Sequence, residues 1–430
     1  MLRDSVSCAA SSLRRLRERE LLRAGVHTYA LSALTLAANL LSGITIARAL
    51  GPDGRGQAVA VAAFAQTIGF AFSVGCAHAV SYRCARDPSS GGRLLTAWVL
   101  FLLPAGVIGV AVGELVVPVL FHAQSATVTG LARVYLLTVF VVLWGELMNG
   151  ILLGSGHYAF VNVARFAQPA IFAVTLAVLW WAGALTVAAA LAVAAGSSLL
   201  VQVVALRKAL RITGGFGALD RRLARETLWY GFRGQGVVLA GALNQRLDVF
   251  IMPAFVAASS IGIYSIAGNV SLIVSTLAAS FAALVLPAAI EGGRHRPKTI
   301  VHALHGVLAA AVVCAAVLFV FARPALRLVY GDAFVQAATT LRILLPGTVL
   351  LAASAVLIAG LYAANRPSVA TGVQVSGLVV TVVGLLVFLP GHGIVAAALV
   401  STAAYATVFT AALVAYRHCA ALGWLEFVRP

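Results

Sequence analysis

Leu228–Phe255, LWYGFRGQGVVLAGALNQRLDVFIMPAF, is long and apolar enough to cross a bilayer, which takes a helix of about 20 residues. It nevertheless carries Arg233, Gln235, Asn244, Gln245, Arg246 and Asp248. A charge at membrane depth costs on the order of 2.5–3.5 kcal/mol by insertion scales, so such residues face a bundle interior or a wet cavity. At about 100° per residue, Arg233, Asn244 and Asp248 share one helix face, and Gln235 and Arg246 lie on the other. A helix polar on two sides has no such face to give to lipid. The stretch reads as the inner wall of a water-filled passage, with protein packed behind it.

Composition places the remaining chain around that wall. The 430 residues are 61% hydrophobic and 10% charged, with mean hydropathy +1.00, which is the signature of an all-α polytopic membrane protein. Hydropathy predicts about twelve spans, near 26–48, 57–80, 94–118, 131–153, 159–182, 185–206, 228–253, 261–286, 301–322, 340–362, 368–389 and 393–416. A net charge of +17 would suit a nucleic-acid binder, but its distribution argues against one. With both termini cytoplasmic, most Lys and Arg fall on inner segments: Arg3 to Arg23, Arg83, Arg86, Arg93, Arg207 to Arg225, Arg294, Arg296, Lys298, Arg366, Arg417 and Arg429. Outer connections hold only Arg48, Arg55, Arg323 and Arg327. That asymmetry is the positive-inside pattern and sets the orientation. Anionic membrane lipids are the expected partner of the basic segments, and no nucleic acid is expected.

Residues 1–25 lack the apolar core and cleavage site of a signal peptide; SSLRRLRERELLRAG forms either a short interfacial helix or a solvated tail. The five cysteines have no metal-ligand spacing, and His302 and His305 have no third ligand in view. No metal and no cofactor is expected.

An internal repeat divides the spans. Gly56 matches Gly262 and Pro118 matches Pro324 at an offset of 206 residues, and Arg133 matches Arg342 and His157 matches Arg366 at 209. The chain therefore reads as a basic segment (1–25), a six-helix bundle (26–206), a basic linker (207–227), a second six-helix bundle (228–416) and a tail (417–430). ARALGPDGRGQ (47–57) reads as the turn between the first two spans.

In the stretches IARALGPDGRGQAVAVAAFAQTI, LNQRLDVFIMPAFVAASSIGIYSIA, RLVYGDAFVQAATTLRILLPGTVLLA and LYAANRPSVATGVQVSGLVVTVVGLLVFLPGHGIVAAALVST, the chain resembles the polysaccharide and oligosaccharide-lipid flippases of the multidrug/oligosaccharidyl-lipid/polysaccharide exporter superfamily. The resemblance covers nearly the whole chain and rests on Gly, Pro and small-residue spacing. It implies a bacterial cytoplasmic-membrane protein that moves a polyprenyl-pyrophosphate-linked glycan from the inner to the outer leaflet by alternating access. Polysaccharide polymerases or glycosyltransferases would be its partner enzymes. Peptidoglycan-precursor flippases are similar too, but usually carry two more spans than are counted here.

An anionic lipid-linked cargo needs cations at depth, and arginine suits phosphate because its planar fork donates paired hydrogen bonds. The substrate candidates are Arg246, Arg233, Arg165 and Arg48, with Asn244 and Asn39 as polar partners. Arg233 either lines the cavity or snorkels to the headgroups, and Arg48 either binds cargo or anchors an interface. Arg165 either binds cargo or pairs with Glu146, which lies at a matching distance across the GSGHY turn. Glu114 and Arg133 match in the same way across 119–130, and Arg133 and Arg342 read as structural. Asp248 and Glu146 are the candidates for a coupling ion or proton, the alternative for Asp248 being a salt bridge to a bundle arginine. Two other classes compete: a drug or cation antiporter, which would favour acidic cavity residues, and a membrane polysaccharide polymerase, which generally needs a folded outer loop or a clustered acid/base site.

Overall fold

The computed structural model describes residues 2–289, 297–364, 366–420 and 423, with side chains described from 31 onward except at 234, 237, 238 and 277–297. The side chains of the basic segment 1–25, Arg294, Arg296 and Arg429 lie outside the described residues.

Twelve α-helices follow one another: α1 (Leu2–Phe72), α2 (Cys76–Arg86), α3 (Gly91–Leu120), α4 (Ala126–Tyr135), α5 (Thr138–Gly154), α6 (Tyr158–Trp181), α7 (Val187–Thr213), α8 (Arg221–Ile251), α9 (Ala258–Ala289), α10 (Pro297–Tyr330), α11 (Ala337–Ala363) and α12 (Pro367–Ala420). No strand occurs among the described residues. Several helix starts are fixed by side-chain caps. Thr186 accepts from the N–H of Ala189 at 3.1 Å, and Asp220 from that of Leu223 at 3.0 Å, each satisfying a donor that the first turn leaves open.

Nine helical stretches among the described residues are long and apolar enough to cross a membrane. Two of them break within their length, α1 at Gly51 (φ 66°, ψ −172°) and α12 at Gly393 (φ 59°), so each supplies two crossings. The twelfth is α8, too polar to qualify on hydropathy but 31 residues long, roughly 46 Å at 1.5 Å per residue. The protein is a multi-pass, all-α membrane protein of about the expected helix number.

The break at Gly51 narrows the turn expected over 47–57, between the first two spans, to a single residue. One residue in the left-handed region redirects the chain, and Pro52 restarts the helix at once, because a first-turn proline lacks only an N–H that would be unpaired anyway. Arg55 therefore sits inside a helix, and it is only 7% exposed rather than placed on an outer loop.

The helices form two pseudo-symmetric halves. In the first, α1 packs on α5 and α6, and α5 on α2, α3 and α7; in the second, α11 packs on α9, α10 and α12, and α12 on α8. The halves meet chiefly where α1 crosses α9. There the two repeat-related glycines face each other: a Cβ on Gly56 would strike the carbonyl of Ala258, and one on Gly262 the carbonyl of Pro52. The crossing admits no side chain at either position. Phe64 of α1 stacks on Phe250 of α8 at 5.7 Å between centroids, and Gln124 donates to the carbonyls of Pro253 and Val256 at 2.9 and 3.0 Å.

Two expected structural arginines are placed clearly. Arg133 pairs with Glu114 at 3.5 Å, and Arg342 donates to the Phe319 carbonyl at 3.1 Å while lying over its ring. The Arg133 and Glu114 side chains are 55% and 41% exposed, a setting in which an ion pair contributes about 0.2–1 kcal/mol. A double-mutant cycle on Glu114→Gln and Arg133→Gln, read by thermal unfolding, should return a coupling energy of no more than about 1 kcal/mol.

Candidate functional site

Between the halves lies a cavity of about 540 Å³. Its walls come from α1, α6 and α7 on one side and from α8 and α9 on the other, with Tyr330 and Tyr405 reaching in from α10 and α12. The location follows from the sequence of α8. Of its polar residues, Gln245, Arg246 and Asp248 line the cavity, whereas Asn244 and Gln235 are covered by neighbouring helices.

Three arginines reach the cavity from different helices. Arg246 comes from α8, Arg165 from α6 and Arg55 from the restarted part of α1. Among the described residues none of the three is within ion-pair distance of a carboxylate. Arg246 and Arg165 are exposed to the cavity, whereas Arg55 is buried, its Nε donating to Ser265 Oγ at 3.4 Å. Asn39, Gln66 and Gln168 complete the polar lining on the side of the first half.

Asp248 is the carboxylate of this cavity, and its oxygens are already engaged. It accepts from the hydroxyl of Tyr264, from the Ser401 hydroxyl at 3.3 Å and from the N–H of Val249 at 2.7 Å. Tyr264 and Ser401 also lie 3.2 Å apart. Among the described residues no arginine forms a salt bridge with Asp248; neutral donors hold the carboxylate instead.

The remaining candidates lie elsewhere. Arg48 donates to the carbonyls of Leu328 and Val329 at 2.5 and 2.8 Å, so it ties the first half to the C-terminal end of α10, where unpaired carbonyls favour a cation. Arg233 is exposed outside the cavity with its guanidinium 4.8 Å above the Trp229 ring. Asn244 is buried and clamps α8 to α12, donating to the Gln374 carbonyl and side-chain oxygen at 2.7 and 3.0 Å. Gln235 is also buried, donating to the Phe70 carbonyl at 2.9 Å. Thus Asn244 and Asp248 do share a covered face, while Arg233, grouped with them by helical periodicity, does not.

Glu146 lines a neighbouring chamber of about 360 Å³ that shares Gln66, Gln168 and Arg246 with the main cavity. Among the described residues it makes no ion pair with Arg165 within 4 Å, so of the two alternatives for Arg165 the buried pair is not formed, although Arg165 is near enough to act on Glu146 electrostatically.

Two groups of functional interest escaped the sequence reading. Arg55 had a signal: it follows Pro52 by three residues, and a proline that starts a helix carries the next residues into it. Tyr264 and Ser401 had none, because neutral hydroxyls 16 and 153 residues from Asp248 carry no mark of their meeting.

No protein-family model matches the chain, and no curated protein matches it. Solved structures do. The lipid II flippase MurJ in an inward closed conformation superimposes with TM-score 0.80 at 13% identity, over 94% of this chain and 89% of that one. An inward-facing multidrug resistance MATE family transporter of the MOP superfamily gives 0.71 at 17%, over 92% and 97%. An outward-facing structure described in the same terms gives 0.59 at 15%, over 94% and 96%. The chain has the fold shared by the lipid II flippase and the multidrug transporters of the MOP superfamily.

Proposed function

We propose that the protein is a flippase that moves a polyprenyl-pyrophosphate-linked oligosaccharide or polysaccharide precursor from the inner to the outer leaflet of a bacterial cytoplasmic membrane. One observation carries this reading. Among the described residues, the cavity between the halves presents three arginines outside any ion pair, against one carboxylate whose oxygens are already occupied. In a low-dielectric setting an unpaired cation is costly, and an anionic cargo offsets that cost when it binds. The pyrophosphate bridges Arg246 and Arg165 across the two walls, Arg55 adds a third cation from the side of Arg165, and the sugars occupy the space beside Asn39 and Gln168. The two halves rock about the α1–α9 crossing, and both termini stay in the cytoplasm. The better superposition on the inward-facing transporter than on the outward-facing one supports a cavity poised toward the cytoplasmic side. None of these steps breaks a covalent bond, so the protein is a transporter rather than an enzyme.

Asp248 serves coupling. Held by Tyr264 and Ser401, it binds or releases a proton or cation as the halves move, with Glu146 as a second site. Asp248→Asn keeps the shape of the site but not its titratable charge, and should remove the dependence of export on an ion gradient. Transport into vesicles with and without an imposed gradient measures this. Unchanged rate and gradient dependence in the variant would make Asp248 structural.

A drug or cation antiporter is the second reading, favoured by the presence of Asp248 in the cavity. Purified protein distinguishes the two: the flippase reading requires saturable binding of a polyprenyl pyrophosphate that the cationic dye ethidium does not displace. Displacement by ethidium, or dye binding alone, would favour the antiporter.

A further inference from the structure

On the flank of the first half, α3, α5 and α7 leave an apolar groove of about 370 Å³ whose walls include Leu102, Trp144 and Val203. At its lip Leu103 and Leu199 are 54% and 52% exposed, and in a membrane protein that exposure is to lipid. The groove is not isolated. It shares Val141 and Gln202 with the chamber that holds Glu146, and this chamber shares Arg246 with the arginine cavity. From Arg246 to the lipid-facing groove, the linings of neighbouring cavities overlap residue by residue.

Gln202 stands at the boundary between the polar chamber and the groove. Its amide lies against the bare Cα of Gly145, where a Cβ would come within 2.6 Å of Gln202 Nε2. Among the described residues that amide has no hydrogen-bond partner, and an unbonded amide beside apolar walls is unfavourable unless water or a ligand reaches it. The side chain is therefore free to swing aside without breaking a bond.

We infer that this groove holds the headgroup-proximal part of the cargo's polyprenyl chain, which passes Gln202 between α5 and α7 while the pyrophosphate rests on Arg246. The inference builds on the flippase reading above. An ordinary phospholipid fits the arrangement poorly, because its headgroup belongs at the membrane surface. A molecule with an anionic head held at depth and a long apolar tail matches both ends of this series of adjoining cavities. The competing exit for a tail is the gap between α1 and α9, whose residues Thr35, Asn39, Asn269 and Thr276 also line the main cavity.

The test uses the full-length wild-type protein in lipid nanodiscs with a polyprenyl pyrophosphate carrying a photoreactive diazirine in its first isoprene units. Labelling of Leu103, Leu199 or Val203 supports the groove; labelling confined to α1 and α9 overturns it. A second measurement uses Val203→Trp, which fills the groove and touches none of the arginines. It should weaken polyprenyl pyrophosphate binding about tenfold, while inorganic pyrophosphate binds within about twofold of wild type. Equal binding of polyprenyl pyrophosphate by variant and wild type also overturns the groove. Should wild type bind neither ligand, the anionic-cargo reading itself fails, and the groove inference falls with it.

Discussion

Arg246→Ala abolishes glycan export while the protein remains folded and inserted. The expectation rests on position: Arg246 lines both the main cavity and the chamber behind it, and among the described residues it is in no ion pair whose loss would strand a partner. Its removal should therefore leave stability close to wild type. Binding is different. A charge-assisted hydrogen bond contributes about 1.5–3 kcal/mol, so losing one bidentate phosphate contact weakens headgroup affinity roughly tenfold to a hundredfold. Lysine at 246 restores the charge but not the fork, and should give partial recovery. Export measured in cells, beside thermal melting of the purified variant, separates the two effects. Normal export by the alanine variant would remove Arg246 from the mechanism.

The second large effect lies at the crossing of the halves. Gly56→Val or Gly262→Val places side-chain atoms where the opposing backbone already stands, at the Ala258 carbonyl for one and the Pro52 carbonyl for the other. Backbone cannot rotate out of the way as a flexible side chain can, so either variant should lose at least the 1–3 kcal/mol typical of overpacking, roughly enough to prevent assembly. The fraction that elutes as a single species after mild-detergent extraction measures it. Gly130→Ala is the control: nothing lies within 4 Å of an added Cβ, and alanine favours the helix by about 1 kcal/mol. A monodisperse Gly56→Val protein with wild-type melting would show that the crossing is not as tight as described.

Much of this architecture was legible because membranes enforce simple rules. Apolar length marks the spans, and the repeat offset pairs Gly56 with Gly262 well before their contact is seen. The α8 stretch announced a polar wall because a charge at membrane depth needs a cavity or a partner. What stayed hidden was direction at the level of single side chains. Helical periodicity put Arg233 with Asp248, yet Arg233 lies about four turns nearer the helix start, where stacking on Trp229 is open to it. The partners of Arg48, the Leu328 and Val329 carbonyls, and the chamber lined by Glu146 could not be read from the chain, since a sequence carries no information on which helix packs opposite. Arg55 was lost to a turn that proved one residue long. Tyr264 and Ser401 become visible only when α9 and α12 are brought onto α8.

The sidedness of lipid-linked glycan in cells depleted of this protein tests the central claim most directly, read by an impermeant probe at the outer surface. The account predicts that precursor accumulates on the inner leaflet while the outer signal falls, and that wild-type protein but not Arg246→Ala restores it. Unchanged sidedness on depletion would contradict the account; if chain length changed instead it would point to a polymerase, and if sensitivity to cationic drugs appeared it would point to an antiporter.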